Sequence, residues 1–213
     1  MAEGDAAELL RRGAEALGCP LDASQADRLL AFLVLMRRWG RVYNLTALSG
    51  SRELVTHHLL DSLAVVPSLR RQTRGRPFRL LDVGSGAGLP GLVVAAVLDS
   101  AQVTCVDAAA KKSAFIRQAS IELGLTGVAV VHDRVERMPG FFDVIVSRAF
   151  ASLADFTMLT EPRLAGGGVW MAMKARVADE EMTAAGAGEV FHVEQITVPY
   201  LDAARCLVWL RRR

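Results

Sequence analysis

Cysteine is scarce in this chain, with three in 213 residues, and Cys19, Cys105 and Cys206 form an odd set with no close pair. That excludes a disulfide-stapled scaffold, and two of the three fall in apolar runs that read as core strands, so all are expected reduced and buried. The four histidines, His57, His58, His132 and His192, are not interleaved with cysteines or carboxylates at ligand spacing, so no metal is expected. Long apolar runs are also missing. Although 52% of residues are apolar, no stretch of about 18 is free of charge, glycine and proline, and no membrane contact is expected. The acidic start Met1-Ala2-Glu3-Gly4-Asp5 has no basic segment followed by an apolar one, which predicts a cytoplasmic protein. Internal repeats and low-complexity linkers are absent. The length suits a single sizeable core, with residues 1–66 as a helical extension packed on a domain over 67–213. A monomer is expected.

Strong charge of one sign is missing too. The net charge of +2 is too small to announce a polyanionic partner. The cations are nevertheless grouped: Arg37-Arg38-Trp39-Gly40-Arg41-Val42-Tyr43, Arg70-Arg71-Gln72-Thr73-Arg74-Gly75-Arg76, and Arg211-Arg212-Arg213. Each group has a plain reading, as a complement to a helix C-terminus, a solvated linker or an idle tail. Three of them beside one cofactor domain make an anionic polymer a reasonable substrate.

What the chain does have is Leu80-Leu81-Asp82-Val83-Gly84-Ser85-Gly86-Ala87-Gly88-Leu89-Pro90-Gly91, a buried strand, an acid and a glycine-rich turn. Gly84, Gly86 and Gly88 allow the positive φ of a sharp reversal, and Pro90 suits a helix start. A turn of this kind is weak by itself. Its context is stronger: an apolar helix over 92–98 is followed by a strand, 102–106, that ends in Asp107. A carboxylate there, roughly 20 residues past the glycines, is where Rossmann-like folds bind ribose hydroxyls. A dinucleotide and S-adenosylmethionine both fit that pattern. Asp82 would repel a pyrophosphate and attract an ammonium and a sulfonium, so it favours the second.

Alternation continues through a helix at 111–123, strands at 128–132 and 142–147, a helix at 153–164 and a strand at 169–173 entered from Gly166-Gly167-Gly168. Two last strands, 190–198 and 206–210, lack an intervening helix and should pair antiparallel. Ahead of the first strand, a helix is expected over 24–39, with a capping box at Ser24-Gln25-Ala26-Asp27 and an end at Gly40, and a second over 52–66. The architecture predicted is α/β, class I methyltransferase Rossmann-like: a seven-stranded, mostly parallel sheet with an antiparallel C-terminal hairpin and a helical N-terminal extension.

Four segments, Tyr43-Asn44-Leu45-Thr46, His57-His58-Leu59-Leu60-Asp61-Ser62-Leu63, Asp82 through Gly91, and Ser147-Arg148-Ala149-Phe150-Ala151, together resemble the bacterial small-subunit ribosomal RNA guanine-N7 methyltransferases, also called glucose-inhibited division protein B. The resemblance implies S-adenosyl-L-methionine as donor and, as acceptor, a guanine in the decoding-region loop of 16S rRNA, free or in the 30S subunit. By position it puts cofactor contacts on Gly84, Leu89, Val135, Glu136 and Arg148. Asp82, Gly86, Gly88 and Asp107 join them from the fold. Where the family commonly has a serine after the ribose-binding acid, Ala108 stands here.

Guanine N7 offers an in-plane lone pair and no proton, so its methylation needs no general base, and positioning should dominate. The chain has Ser147-Arg148-Ala149-Phe150 where exocyclic-amine enzymes carry Asn/Asp-Pro-Pro-aromatic, and no Pro-Cys for cytosine-C5 chemistry. Asn44, Arg148 and Lys174 are the expected catalytic-site residues, holding guanine or adjoining phosphates, with Phe150 as a stacking candidate. Their plainer readings are a turn asparagine, an ion-paired arginine, a solvated lysine and a core phenylalanine. A methyltransferase for a metabolite or protein, a nicotinamide dehydrogenase and a non-catalytic RNA-binding factor are the competing functions.

Overall fold

β-branched and leucine-rich runs, too apolar to leave either face in water, require helices on both sides of a sheet, and the chain supplies them. The computed structural model describes residues 3–43, 50–148, 150 and 152–213. Seven strands, β1 (Phe78–Val83), β2 (Ala101–Asp107), β3 (Val128–His132), β4 (Phe142–Ser147), β5 (Leu164–Lys174), β6 (Gly188–Ile196) and β7 (Arg205–Arg212), lie in the order β3-β2-β1-β4-β5-β7-β6. β1 to β5 are parallel; β7 is antiparallel to both β5 and β6. The class I layout expected from the sequence is therefore observed. Adjacent β1 residues face opposite cores. Leu80 packs with Phe32, Met36, Val103 and Phe115, whereas Leu81 packs with Ile145, Phe156, Trp170 and Val208.

The helical elements are α1 (Glu3–Ala16), α2 (Ala23–Tyr43), α3 (Ser51–Leu54), α4 (Asp61–Leu63), α5 (Val66–Thr73), α6 (Gly91–Val97), α7 (Ala110–Glu122), α8 (Leu153–Thr160) and α9 (Asp179–Thr183), with a π-helical segment, Val55–Leu60, joining α3 to α4. The N-terminal helices share one core with the sheet. Phe32 and Trp39 of α2 meet Phe115 of α7 at ring separations of 6.2 and 5.4 Å. Gly13 of α1 lies so close to the π-helical segment that a Cβ there would sit 2.5 Å from Leu60. The boundary expected after residue 66 falls one residue into α5.

Several local expectations are corrected. The capping box belongs to Asp22, two residues earlier than Ser24: Gln25 N–H donates to Asp22 Oδ1 at 2.8 Å and Asp22 N–H to Gln25 Oε1 at 3.1 Å. α2 runs through Gly40 to Tyr43; a glycine inside a helix costs about 1 kcal/mol, which packing such as that of Trp39 offsets. Pro67 opens a new helix, α5, because the first turn has no use for its missing N–H, and Arg70 and Arg71 therefore lie on a helix, not a linker. α8 stops at Thr160, a 3-10 turn containing Pro162 follows, and β5 already includes the three glycines. α1 and α9 were not anticipated. In α1, Ala6, Leu10 and Ala14 are buried at a spacing of four, but of the three only Leu10 is large enough to read as apolar patterning.

Asp22→Ala should destabilise the fold by about 1 kcal/mol in urea denaturation, and Ser24→Ala by much less, since only the first removes the N-cap acceptor.

Candidate active site

The C-terminal ends of β1 and β2 are where the sheet stops supplying partners and a turn must be held by other means. Gly84, Gly86 and Gly88 take φ of 67, 59 and 78°, the left-handed region that a side chain penalises. Gly84 and Ser85 N–H donate to Val106 O at 2.9 and 3.2 Å. Asp107 Oδ2 accepts from Gly86 N–H at 2.9 Å and its Oδ1 from Ala109 N–H at 2.8 Å, so this carboxylate fixes the turn while keeping lone pairs for a ligand. Above Gly86 the space is open: an added Cβ would find its nearest atom at 3.9 Å.

Asp82 lies one layer below. It is wholly buried, its Oδ2 accepts Gly91 N–H at 2.9 Å, and its Oδ1 has no hydrogen-bond partner among the described residues. Burial raises its pKa to about 6, opposed by the Gly91 N–H and by the charge of Arg148. A Cβ on Gly91 would come within 2.8 Å of that carboxylate and 2.7 Å of Cys105 Sγ, so glycine is what lets α6 start directly over the acid.

Over these strand ends opens a cavity of about 370 Å³, within the roughly 300–1,000 Å³ of small-molecule sites. It is lined by Val83 and Gly84 at the end of β1, by Val106, Asp107 and Ala108 at the end of β2 with Lys112 4.0 Å from the Asp107 carboxylate, by Asp133 to Glu136, and by Phe150 and Leu159. Val135 and Glu136 belong to a 3-10 turn between β3 and β4, Val135 buried and Glu136 exposed. An apolar slot with a carboxylate at its edge fits an adenosine, and the unpartnered Asp82 oxygen beneath fits a cationic tail. Gly84, Asp107, Val135 and Glu136 are thus brought together as the sequence predicted. Leu89 is buried in the core and offers a ligand only its backbone. Phe150 lines the cavity and packs on Phe156 at 5.4 Å.

Arg148 and Lys174 lie at the same edge of the sheet, outside the cavity wall. Arg148 follows β4, and its Nη1 is 3.4 Å from both Asp61 Oδ2 and His57 O. The other oxygen of buried Asp61 accepts from Arg205 Nε at 2.7 Å. Lys174 ends β5 and donates to Glu181 Oε1 at 2.6 Å; its side chain is only 12% exposed, so it is not the solvated lysine of the plainer reading. Asn44 lies outside the described residues. Sequence reasoning missed Asp61 and Arg205 as rim residues. Asp61 was visible in the His57–Leu63 motif, whereas Arg205 carries no local signal, since only the antiparallel return of β7 delivers it here. Burial lowers the pKa of His58 to about 4, so this imidazole is neutral at pH 7.

A family model described as "GidB: rRNA small subunit methyltransferase G" matches residues 25–208. Relatives include the ribosomal RNA small subunit methyltransferases G of Methylibium petroleiphilum, 56% identical over 97% of this chain and 95% of its own, and of Leptothrix cholodnii, 54% identical over the same shares. Among solved structures, TrmN from Thermus thermophilus superposes with a TM-score of 0.59 at 18% identity, over 75% of this chain and 53% of that one. MtNAS in complex with MTA and tNA gives 0.60 at 15% identity, over 100% and 90%. At such identities the structural likeness speaks for the fold alone.

The raised pKa of Asp82 carries a pH signature. The folded protein holds this proton up to about pH 6, the unfolded chain only to about pH 4, so stability falls as pH rises through that window. Asp82→Asn is free of the penalty. Its stability relative to the parent should improve by on the order of 2–3 kcal/mol between pH 4 and pH 7 and level off above, as read by urea denaturation at each pH.

Proposed function

The chain belongs to the rRNA small subunit methyltransferase G family, and on that premise we propose that it methylates N7 of a guanine in the decoding-region loop of 16S rRNA, acting in the cytoplasm as a monomer on free rRNA or the 30S subunit. The observation that carries this reading is the junction of an adenosine-shaped cavity, edged by Asp107, with an arginine-bearing rim at the same ends of the strands. S-adenosylmethionine, the methyl donor of the family, supplies an electrophilic methyl on a sulfonium. Everything else is asked of the chain's own groups.

Asp107 accepts from the ribose hydroxyls, and backbone groups of Val135 and Glu136 meet the adenine edge. Gly84, Gly86 and Gly88 let the main chain approach the cofactor without a Cβ in the way. Asp82 contributes negative potential from beneath the turn, weakly screened because the acid is sealed in a low-dielectric interior. Arg148 and Lys174 face the acceptor, where a guanidinium and an ammonium donate to guanine O6 or to phosphate. No proton has to leave N7, so a base is not required. Neutral, half-buried His58 is in keeping with that, since its low pKa leaves it a poor proton acceptor at pH 7.

Incubation with labelled S-adenosylmethionine and 30S subunits, naked 16S rRNA or protein fractions should place the label in a single rRNA loop as 7-methylguanosine. Label in any other fraction or nucleoside overturns the substrate assignment. Asp107→Ala should weaken S-adenosylhomocysteine binding by more than an order of magnitude by calorimetry, because it removes the ribose acceptor and releases the Gly86 and Ala109 N–H groups together.

A further inference from the structure

Tyr200 has a backbone that a tyrosine should avoid. Its φ is +64°, a region that costs a side-chain-bearing residue and that this chain otherwise fills with glycine. Arg74 is the other non-glycine residue with positive φ among the described ones, and there the strain caps the end of α5. Tyr200 takes the third place of the Val198–Leu201 turn, which Leu201 N–H closes onto Val198 O at 3.2 Å, a place that requires positive φ and that glycine fills without strain. It lies in the β6–β7 connection, its ring 48% exposed, with the Arg52 guanidinium 5.8 Å from the ring centre, inside the range of a cation–π contact.

Arg52 belongs to a larger arrangement. It stands at the start of α3 beside Ser51, whose Oγ accepts from Arg37 Nη1 at 3.3 Å, so the basic end of α2 is drawn alongside α3. The same β6–β7 connection leads into Arg205, which shares buried Asp61 with Arg148 at the cavity rim. A line of exposed or half-exposed cations thus runs from the end of α2 to the cavity. Arg37, Arg52 and Arg205 form it, with the exposed acids Glu53 and Asp202 near them in the chain. The other two basic segments of the sequence are placed and spent differently. Arg211 pairs in register with Val169, at the β5 end remote from the cavity, and bonds Glu189; Arg212 bonds Glu161, and Arg213 the carbonyls of Gly188 and Thr183. Arg71 is held by Glu194, and Arg76 precedes β1 at its remote end.

We propose that this ridge is where the rRNA docks: Tyr200 stacks on an unpaired base, Arg37 and Arg52 meet phosphates, and Asp61 is the buried post that aims Arg205 and Arg148 inward. The proposal rests on the reading of the chain as an rRNA methyltransferase. Exposed aromatics beside arginines suit single-stranded RNA, whose splayed bases stack on rings while the backbone follows the cations. A strained tyrosine is maintained at the expense of stability when its ring has a ligand to meet.

Steady-state methylation of 16S rRNA, with S-adenosylhomocysteine binding measured alongside, tests the ridge. Tyr200→Gly and Arg52→Ala should each raise KM for rRNA about 10-fold, with kcat and cofactor affinity within about twofold of the parent. Tyr200→Phe should retain the parental KM, and Tyr200→Gly should melt no lower than the parent because the strain is relieved. Arg76→Ala and Arg211→Ala, at the remote edge, should leave KM within about twofold. An unchanged KM in Tyr200→Gly and Arg52→Ala, or an equal rise in the remote variants, overturns the ridge and leaves the enzyme's function standing. A parent protein that binds S-adenosylhomocysteine yet methylates no 16S rRNA overturns the functional reading and the ridge with it.

Discussion

A turn laid across the ends of parallel strands leaves backbone N–H groups with no ladder to join, and two carboxylates answer for them here. Asp107 takes the N–H groups of Gly86 and Ala109; Asp82 takes that of Gly91. Each such bond to a charged acceptor is worth more than a neutral one, and each frees the chain from the need for a side chain in the turn. The cavity exists because of this division. Acids below and beside the turn do the holding, so glycines can form its surface, and the space over Gly86 stays open for a ligand. The arrangement has a cost, since Asp82 is sealed with one oxygen unpartnered and its charged form is disfavoured.

The acceptor side is organised around a single acid as well. Asp61 lies on the helical extension, yet its two oxygens hold Arg148 from the end of β4 and Arg205 from the start of β7. One carboxylate between two guanidinium groups leaves a net positive charge at the rim, which suits a phosphate-bearing substrate. The π-helical segment that precedes Asp61 adds the His57 carbonyl as a further acceptor for Arg148. The N-terminal helices therefore reach the strand ends that carry Arg148 and Arg205. They share a core with the sheet through Phe32 and Trp39, and they reach its functional edge through Asp61.

The sheet was legible in the sequence because its strands are short apolar runs separated by helices, and β3 and β4 were bounded to the residue. The residues that line the cavity were equally legible as neighbours, since Gly84, Asp107 and the Val135–Glu136 turn are local features at fixed offsets from strand ends. Boundaries governed by tertiary packing were harder. Gly40 looks like a stop signal until Trp39 is seen against Phe115, and Pro67 looks like one until it is seen opening α5. The acceptor half was legible only as isolated residues. Arg148 and Lys174 were picked out, but their pairing with Asp61 and Glu181, and the sharing of Asp61 with Arg205, depend on which distant elements meet, and no local pattern encodes that.

β7 lies between β5 and β6, so β6 has no place in the sheet until a strand made after it is present. The two halves of the site consequently mature at different moments of synthesis. Every residue that walls the cofactor cavity falls between Val83 and Leu159, and the five parallel strands need nothing later in the chain to pair. Arg205, by contrast, reaches back across 144 residues to Asp61, a closure that non-local contacts make slow. Residues 83–159, which line the cavity, are thus synthesised before Arg205, so the chain that builds the proposed cofactor pocket precedes the chain that completes the Asp61 pair at its rim.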